Sequence, residues 1–172
     1  EFVFSGIDSQ PLPSLLRGFS APVKLEYNYS REQLAFLLAH DTDGFNRWEA
    51  GQQLAIQVFS EALLQQQSGQ TPEFDPQLAQ ALARVLADEQ LDEALKAEII
   101  SLPSLAYLLE LQEVADVANS HCVREALRLN IAQQMEQPLR EIYLQLREQA
   151  RNTEYRPEAG QIGRRRLQSM AL

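Results

Sequence analysis

The chain has 172 residues, 45% of them apolar, with 24 Asp and Glu against 15 Lys and Arg, a net charge of -9 and a pI near 4.7. That length suits a sizeable core and roughly one and a half domains. The acidic balance disfavours nucleic acid, and no such partner is expected, because Lys and Arg supply the affinity for phosphate backbones. No apolar run nears the roughly 20 residues of a membrane span, so no membrane partner is expected.

Before Tyr29 the residues alternate as strands do, with Phe2 and Phe4 on one face and Val23, Leu25 and Tyr27 on another. Two or three strands alone are marginal in water. The chain opens at Glu1, inside this pattern and without an initiator Met, so it is expected to be a piece of a larger polypeptide.

After Ser30 every apolar pattern is helical. Ser30 and Gln33 have the spacing of a capping box, predicting a short helix that buries Leu34, Leu37 and Leu38. Asp41 to Gly44 breaks it, and Asp43 opens a long helix striped by Phe45, Trp48, Ala55, Phe59, Ala62 and Leu63, ending near Gly69. Asp75-Pro76 starts a third, burying Leu78, Leu82, Val85 and Leu86. Asp92 opens a helix with Leu95 and Ile99, stopped by Pro103, and Ser104 opens another with Leu105, Leu108 and Leu109. Asp116 to Met135 carries Val123, Leu127 and Ile131. Pro138 starts the next, with Leu139, Ile142 and Leu146, and a last helix begins at Pro157. Short breaks between helices suit neighbours stacked in sequence order, and the absence of a clean period favours an irregular α-superhelix over a regular repeat array.

Local chemistry is sparse. The two histidines, His40 and His121, stand far apart, and no His-Glu-x-x-His occurs. His121 and Glu125 share a helix face, where a surface ion pair is the reading rather than a metal site. Cys122 stands beside His121, but consecutive helix residues point about 100° apart, so a buried structural thiol is expected. A lone cysteine also forms no intramolecular disulfide and makes a reducing, cytoplasmic setting the default. The seven glycines never cluster into a phosphate-cradling loop. Arg164 to Arg166 reads as a solvated helix face and Gln65 to Gln70 as a solvated helix end. Asp41 and Asp43 read as helix caps. Phe45 and Trp48 read as core aromatics. Arg17, among Leu15, Leu16 and Phe19, needs a carboxylate or carbonyls if buried, or snorkels to water.

Two segments carry a resemblance. LPSLLRGFSAPVKLEY, with Arg17, Phe19, Ser20, Pro22 and Val23, followed by HDTDGFNRWEAGQ, with Asp41, Phe45, Arg47 and Trp48, resembles the junction between the third and fourth domains of the gluzincin zinc aminopeptidases of bacterial aminopeptidase N type. The closing YRPEAGQIGRRRLQSMAL is similar to a later stretch of the same family, departing at Gln168 and Ser169.

The resemblance implies a mainly α fold with ARM- or HEAT-like helical pairs. Residues 1–29 would be the terminal strands of a small β-sandwich-like domain and 30–172 the front part of the C-terminal helical superhelix. It implies a parent enzyme that removes N-terminal residues from peptides with zinc held by a His-Glu-x-x-His motif and a downstream Glu. None of those motifs is in this chain, so it contributes no catalytic residue, no cofactor-binding residue and no metal ligand. The implied partners are the catalytic domain of the same polypeptide, which the helices cover, and peptide substrates. Exposed apolar surface would favour self-association of the excised piece. The alternative is a stand-alone helical-repeat module that binds a partner protein.

Overall fold

The computed structural model describes residues 5–9, 11–20, 23, 25, 27–151 and 153–172. The described residues form α1 Arg31–His40, α2 Gly44–Gln67, α3 Gln77–Ala87, α4 Glu93–Ile99, α5 Leu105–Glu110, α6 Val117–Gln134, α7 Glu136–Arg151 and α8 Ala159–Met170, preceded by a 3-10 turn at Arg17–Phe19. The mainly helical class holds. The strands expected over 1–29 are absent among the described residues: Phe2 and Phe4 lie outside them, and Val23, Leu25 and Tyr27 sit in irregular, exposed chain.

Helices begin where side chains satisfy the orphan N–H groups of a first turn. Ser30 and Gln33 make the full capping box, Gln33 N–H donating to Ser30 Oγ at 3.3 Å and Ser30 N–H to Gln33 Oε1 at 2.9 Å. Asp43, Asp92, Ser104 and Asp116 each accept from the N–H three residues on, opening α2, α4, α5 and α6. Three starts differ from expectation. α3 begins at Gln77, with Pro76 as its N-cap instead of its first helical residue and no side-chain cap. α7 begins at Glu136, so Pro138 lies within the first turn, where a missing N–H breaks no intrahelical bond. α8 begins at Ala159, two residues after Pro157.

The core gathers around α2, which packs on α1, α3, α4 and α6, while α4 packs chiefly against α8. The order of neighbours is therefore not the order of sequence. A 24-residue helix is about 36 Å long and reaches several partners along its length. Leu38, Leu54, Val58, Ala62, Leu78, Val85, Ile99, Val123, Met135 and Leu167 are all at most 2% exposed and form one cluster.

Two buried cations close helix ends inside this core. Arg47 of α2 donates from Nε to Leu38 O at 3.0 Å and from Nη2 to Ala39 O at 3.3 Å, while Nη1 reaches Asp88 Oδ2 at 2.6 Å. Lys96 of α4 donates from Nζ to Leu86 O at 3.0 Å. Each positive charge sits at the negative end of a neighbouring helix and satisfies carbonyls that would otherwise be buried without a partner. The Arg47 hydrogen bond, followed by the Gln90 N–H, holds the Asp88 carboxyl below its ordinary range.

α4 and α8 meet where α8 has no side chain. A Cβ on Gly163 would lie 2.9 Å from Ala94 N, whereas one on Gly160, on the same helix, would meet nothing closer than the mobile end of Arg164 at 3.7 Å. Gly163→Ala therefore lowers the thermal midpoint, because displacing α8 from the α4 backbone costs about 1–3 kcal/mol, more than the roughly 1 kcal/mol gained in helix propensity. Gly160→Ala raises the midpoint. Circular dichroism melts of both variants check the opposite signs.

Candidate functional site

The two segments singled out in sequence meet in space. α1 ends at Asp41, whose N–H donates to Leu37 O at 2.9 Å, and its side chain turns inward until only 1% of it is exposed. A carboxylate in that position must be fully partnered. Arg17 Nη1 donates to its Oδ1 at 2.7 Å, Asp43 N–H donates to Oδ1 at 2.8 Å, and the Ser14 hydroxyl donates to Oδ2. Burial raises the Asp41 carboxyl, but the Ser14 hydroxyl, the Asp43 amide and Arg17 together outweigh it and hold the group below its ordinary value.

The other contacts extend this clasp outward. Arg17 Nη2 donates to Thr42 Oγ1 at 2.6 Å, Gly18 N–H to Asp43 Oδ2 at 2.8 Å, and Asn46 Nδ2 to Ser14 Oγ and Leu15 O at 2.8 and 2.9 Å. Asp43 uses its other oxygen to cap α2, accepting from Asn46 N–H at 2.9 Å. One acidic pair thus ends α1, starts α2 and holds the leading segment.

The leading segment is bent to fit. Leu16, Gly18 and Phe19 have φ of 54°, 65° and 51°. Glycine adopts this freely; Leu and Phe do so at a cost of order 1–3 kcal/mol each, which persists only where surrounding contacts impose it. The bend places the Phe19 ring edge-on to Phe45 at 5.0 Å between centroids, with Phe45 5.7 Å from Trp48. Further along, Tyr29 Oη donates to Pro13 O at 3.1 Å.

Arg17, Phe19, Asp41, Phe45, Arg47 and Trp48 therefore lie in one contiguous region, with Arg47 behind the clasp on the α1 terminus. Ser20 is exposed at the end of the 3-10 turn, and Pro22 lies outside the described residues. Phe45 and Trp48 flank the core half-buried instead of lying within it. Ser14, Thr42 and Asn46 were not singled out in sequence; the signal was Ser14 three residues before Arg17 in a bend that local periodicity does not encode.

The remaining titratable side chains named from the sequence are placed as follows. Among the described residues no three His, Cys, Asp or Glu side chains converge to hold a metal, so the donor set does not fit zinc. Glu125 pairs with Arg128 at 2.7 Å and Arg124 at 3.2 Å rather than joining His121 at a cation site. Cys122 is exposed, correcting the expectation of a buried thiol: α6 buries Ser120, Val123 and Leu127, and Cys122 points off that face. In the basic run, Arg166 pairs with Glu98 and Arg165 lies 5.0 Å over the Tyr155 ring. No helix among the described residues is long and apolar enough to cross a membrane.

Comparison with known proteins matches residues 31–172 to DUF3458_C, a domain of unknown function described as ARM repeats, and residues 1–28 to DUF3458, described as an Ig-like fold. The chain is 39% identical over 171 residues to Aminopeptidase N of Escherichia coli K12, covering 99% of this chain and 19% of that protein. It is 37% identical over 167 residues to Aminopeptidase N of Caulobacter vibrioides, covering 96% and 18%. The solved structure of Legionella pneumophila aminopeptidase A in complex with aspartic acid superposes with a TM-score of 0.79 at 30% identity, over 98% of this chain and 20% of that one. The chain spans about a fifth of the length of these relatives.

The Asp41 contacts carry a pH signature. A carboxyl whose folded value is depressed stabilises fully above its unfolded value, near about 4, and loses that contribution as pH falls through the lower folded value. At pH 7, Asp41→Asn lowers unfolding free energy by about 1–2 kcal/mol, Arg17 being half exposed. The gap between wild type and variant narrows below about pH 4. Urea unfolding across pH measures it.

Proposed function

The chain belongs to the DUF3458_C family of ARM-repeat domains, and on that premise we propose that it is a non-catalytic part of a zinc-dependent aminopeptidase, spanning the junction between a small β-sandwich-like domain and the front of a C-terminal helical cap. The observation that carries this reading is the 39% identity to Aminopeptidase N of Escherichia coli K12 over 171 residues, a span that includes both sides of the clasp.

In this reading residues 1–29 close the sandwich and 30–172 begin the superhelix, in keeping with matches to the Ig-like profile over 1–28 and the ARM profile over 31–172. Val23, Leu25 and Tyr27, exposed at 58%, 39% and 40%, are then one alternating face that the remaining strands of the sandwich cover.

The division of labour follows from the residues present. A zinc-bound water acting on a peptide needs metal ligands and a carboxylate base, which in this reading the catalytic domain of the same polypeptide supplies. This chain contributes a wall. A wall that limits entry to peptides must hold its angle to the body of the enzyme, and the Arg17–Asp41 clasp is the device that holds it, since its polar atoms are partnered across the junction. The exposed Cys122 and the acidic surface suit the cytoplasm.

The purified 172-residue chain is expected to release no amino acid from aminoacyl p-nitroanilides with equimolar zinc and to bind no zinc stoichiometrically by calorimetry. Zinc-dependent turnover in the isolated chain would refute the assignment.

A further inference from the structure

One face of α2 is left open beside the clasp. A cavity of about 500 Å³ between α2 and the 101–107 segment contains Trp48, Gln52 and Ile56 in its wall; a second, of about 280 Å³ between α2 and α5, contains Ile56, Phe59 and Leu63. Ile56 lines both, so the two form one trough along α2. The residues 48, 52, 56, 59, 63 and 67 recur at helical spacing, and from Trp48 to Gln67 the trough runs about 28 Å, or roughly five helical turns.

The trough is apolar, and its charge has one sign. Phe59, Leu63 and Leu108 form a buried floor, while Leu64, Leu111 and Val114 stand 65%, 52% and 83% exposed at one end. The charged groups lining the two cavities are Glu49, Glu98 and Glu113, with no Lys, Arg or His among the lining residues. Glu98 is held by Arg166 and Glu49 accepts from Gln53 Nε2 at 2.9 Å; Glu49 is half-buried in the wall of the first cavity and Glu113 is exposed in the wall of the second. An apolar groove of helical length with a carboxylate at each end complements an amphipathic helix whose apolar edge is flanked by Lys or Arg.

We propose that the α2–α5 trough is a docking surface for a cationic amphipathic helical segment of a partner peptide. Its apolar side chains fill the groove beside Ile56, and its ammonium or guanidinium groups meet Glu49 and Glu113. This proposal goes beyond the aminopeptidase reading and rests on the trough staying open in the full-length polypeptide.

The single tryptophan of the chain lies in the trough wall and reports occupancy directly. The 172-residue chain is titrated with a tryptophan-free helical peptide of Leu and Lys of about 18 residues, long enough to fill the five turns, and with its Leu and Glu counterpart. The expected result is a saturable shift of Trp48 emission with the Lys peptide, weakened at least tenfold by 0.5 M salt, where the Debye length is about 4 Å against about 30 Å at 0.01 M, and absent with the Glu peptide. Ile56→Lys abolishes the shift, and Glu113→Gln weakens it about threefold, with both variants retaining wild-type circular dichroism. If Ile56→Lys does not fold, Leu111→Lys at the exposed end serves instead. Equal response to both peptides, no saturation, or retention of binding in the folded Lys variants overturns the proposal. Concentration-dependent dimerisation that the Lys peptide does not displace also overturns it, assigning the trough to a second copy of the chain.

Discussion

A carboxylate that is 99% withdrawn from water at a helix end dictates how this molecule is put together. Once Asp41 turns inward, water cannot solvate it, and leaving its charge unpaired would cost several kcal/mol. Arg17, Ser14 and the Asp43 amide must all reach it, and they lie on both sides of α1 in sequence. That requirement fixes the exit from α1, the entry into α2 and the left-handed bend at Leu16, Gly18 and Phe19. The same logic recurs deeper in the array, where Arg47 and Lys96 supply charge to buried helix carbonyls.

The polar centres and the apolar core serve different ends. Burial of leucine, valine and alanine around α2 supplies most of the drive to fold, at about 25 cal/mol per Å², but it is indifferent to small rotations of one helix on another. Directional bonds from Arg47, Lys96 and Asp41 select among those arrangements. Such specificity fixes how the helices sit on one another, and at the leading segment it fixes the path of residues 14–18 over the start of α2.

Much of the architecture was legible in the sequence because helix starts are local. Ser30 with Gln33, Asp43, Asp92, Ser104 and Asp116 declare themselves within four residues, and each one caps a helix in the structure. The pairing of α4 with α8 has no such signature, since Ala94 and Gly163 are far apart and a glycine inside a helix reads as a defect until its partner is known. Cys122 misled for a related reason: residue type favours burial, but its position on α6 sets it off the buried face. At the clasp, Arg17 and Asp41 stood out as residues, whereas Ser14, Thr42 and Asn46 became visible only through contacts spanning 24 to 32 positions, such as Arg17 to Asp41 and Asn46 to Ser14.

The central claim is that Arg17 and Asp41 act together in tying the leading segment to the end of α1. A double-mutant cycle of Arg17→Ala, Asp41→Ala and the pair, read by urea unfolding at pH 7 and low salt, tests it most directly. The account predicts a coupling of about 1 kcal/mol or more, with the double variant less destabilised than the sum of the singles. Additive losses within about 0.3 kcal/mol would show two independent residues and contradict the clasp.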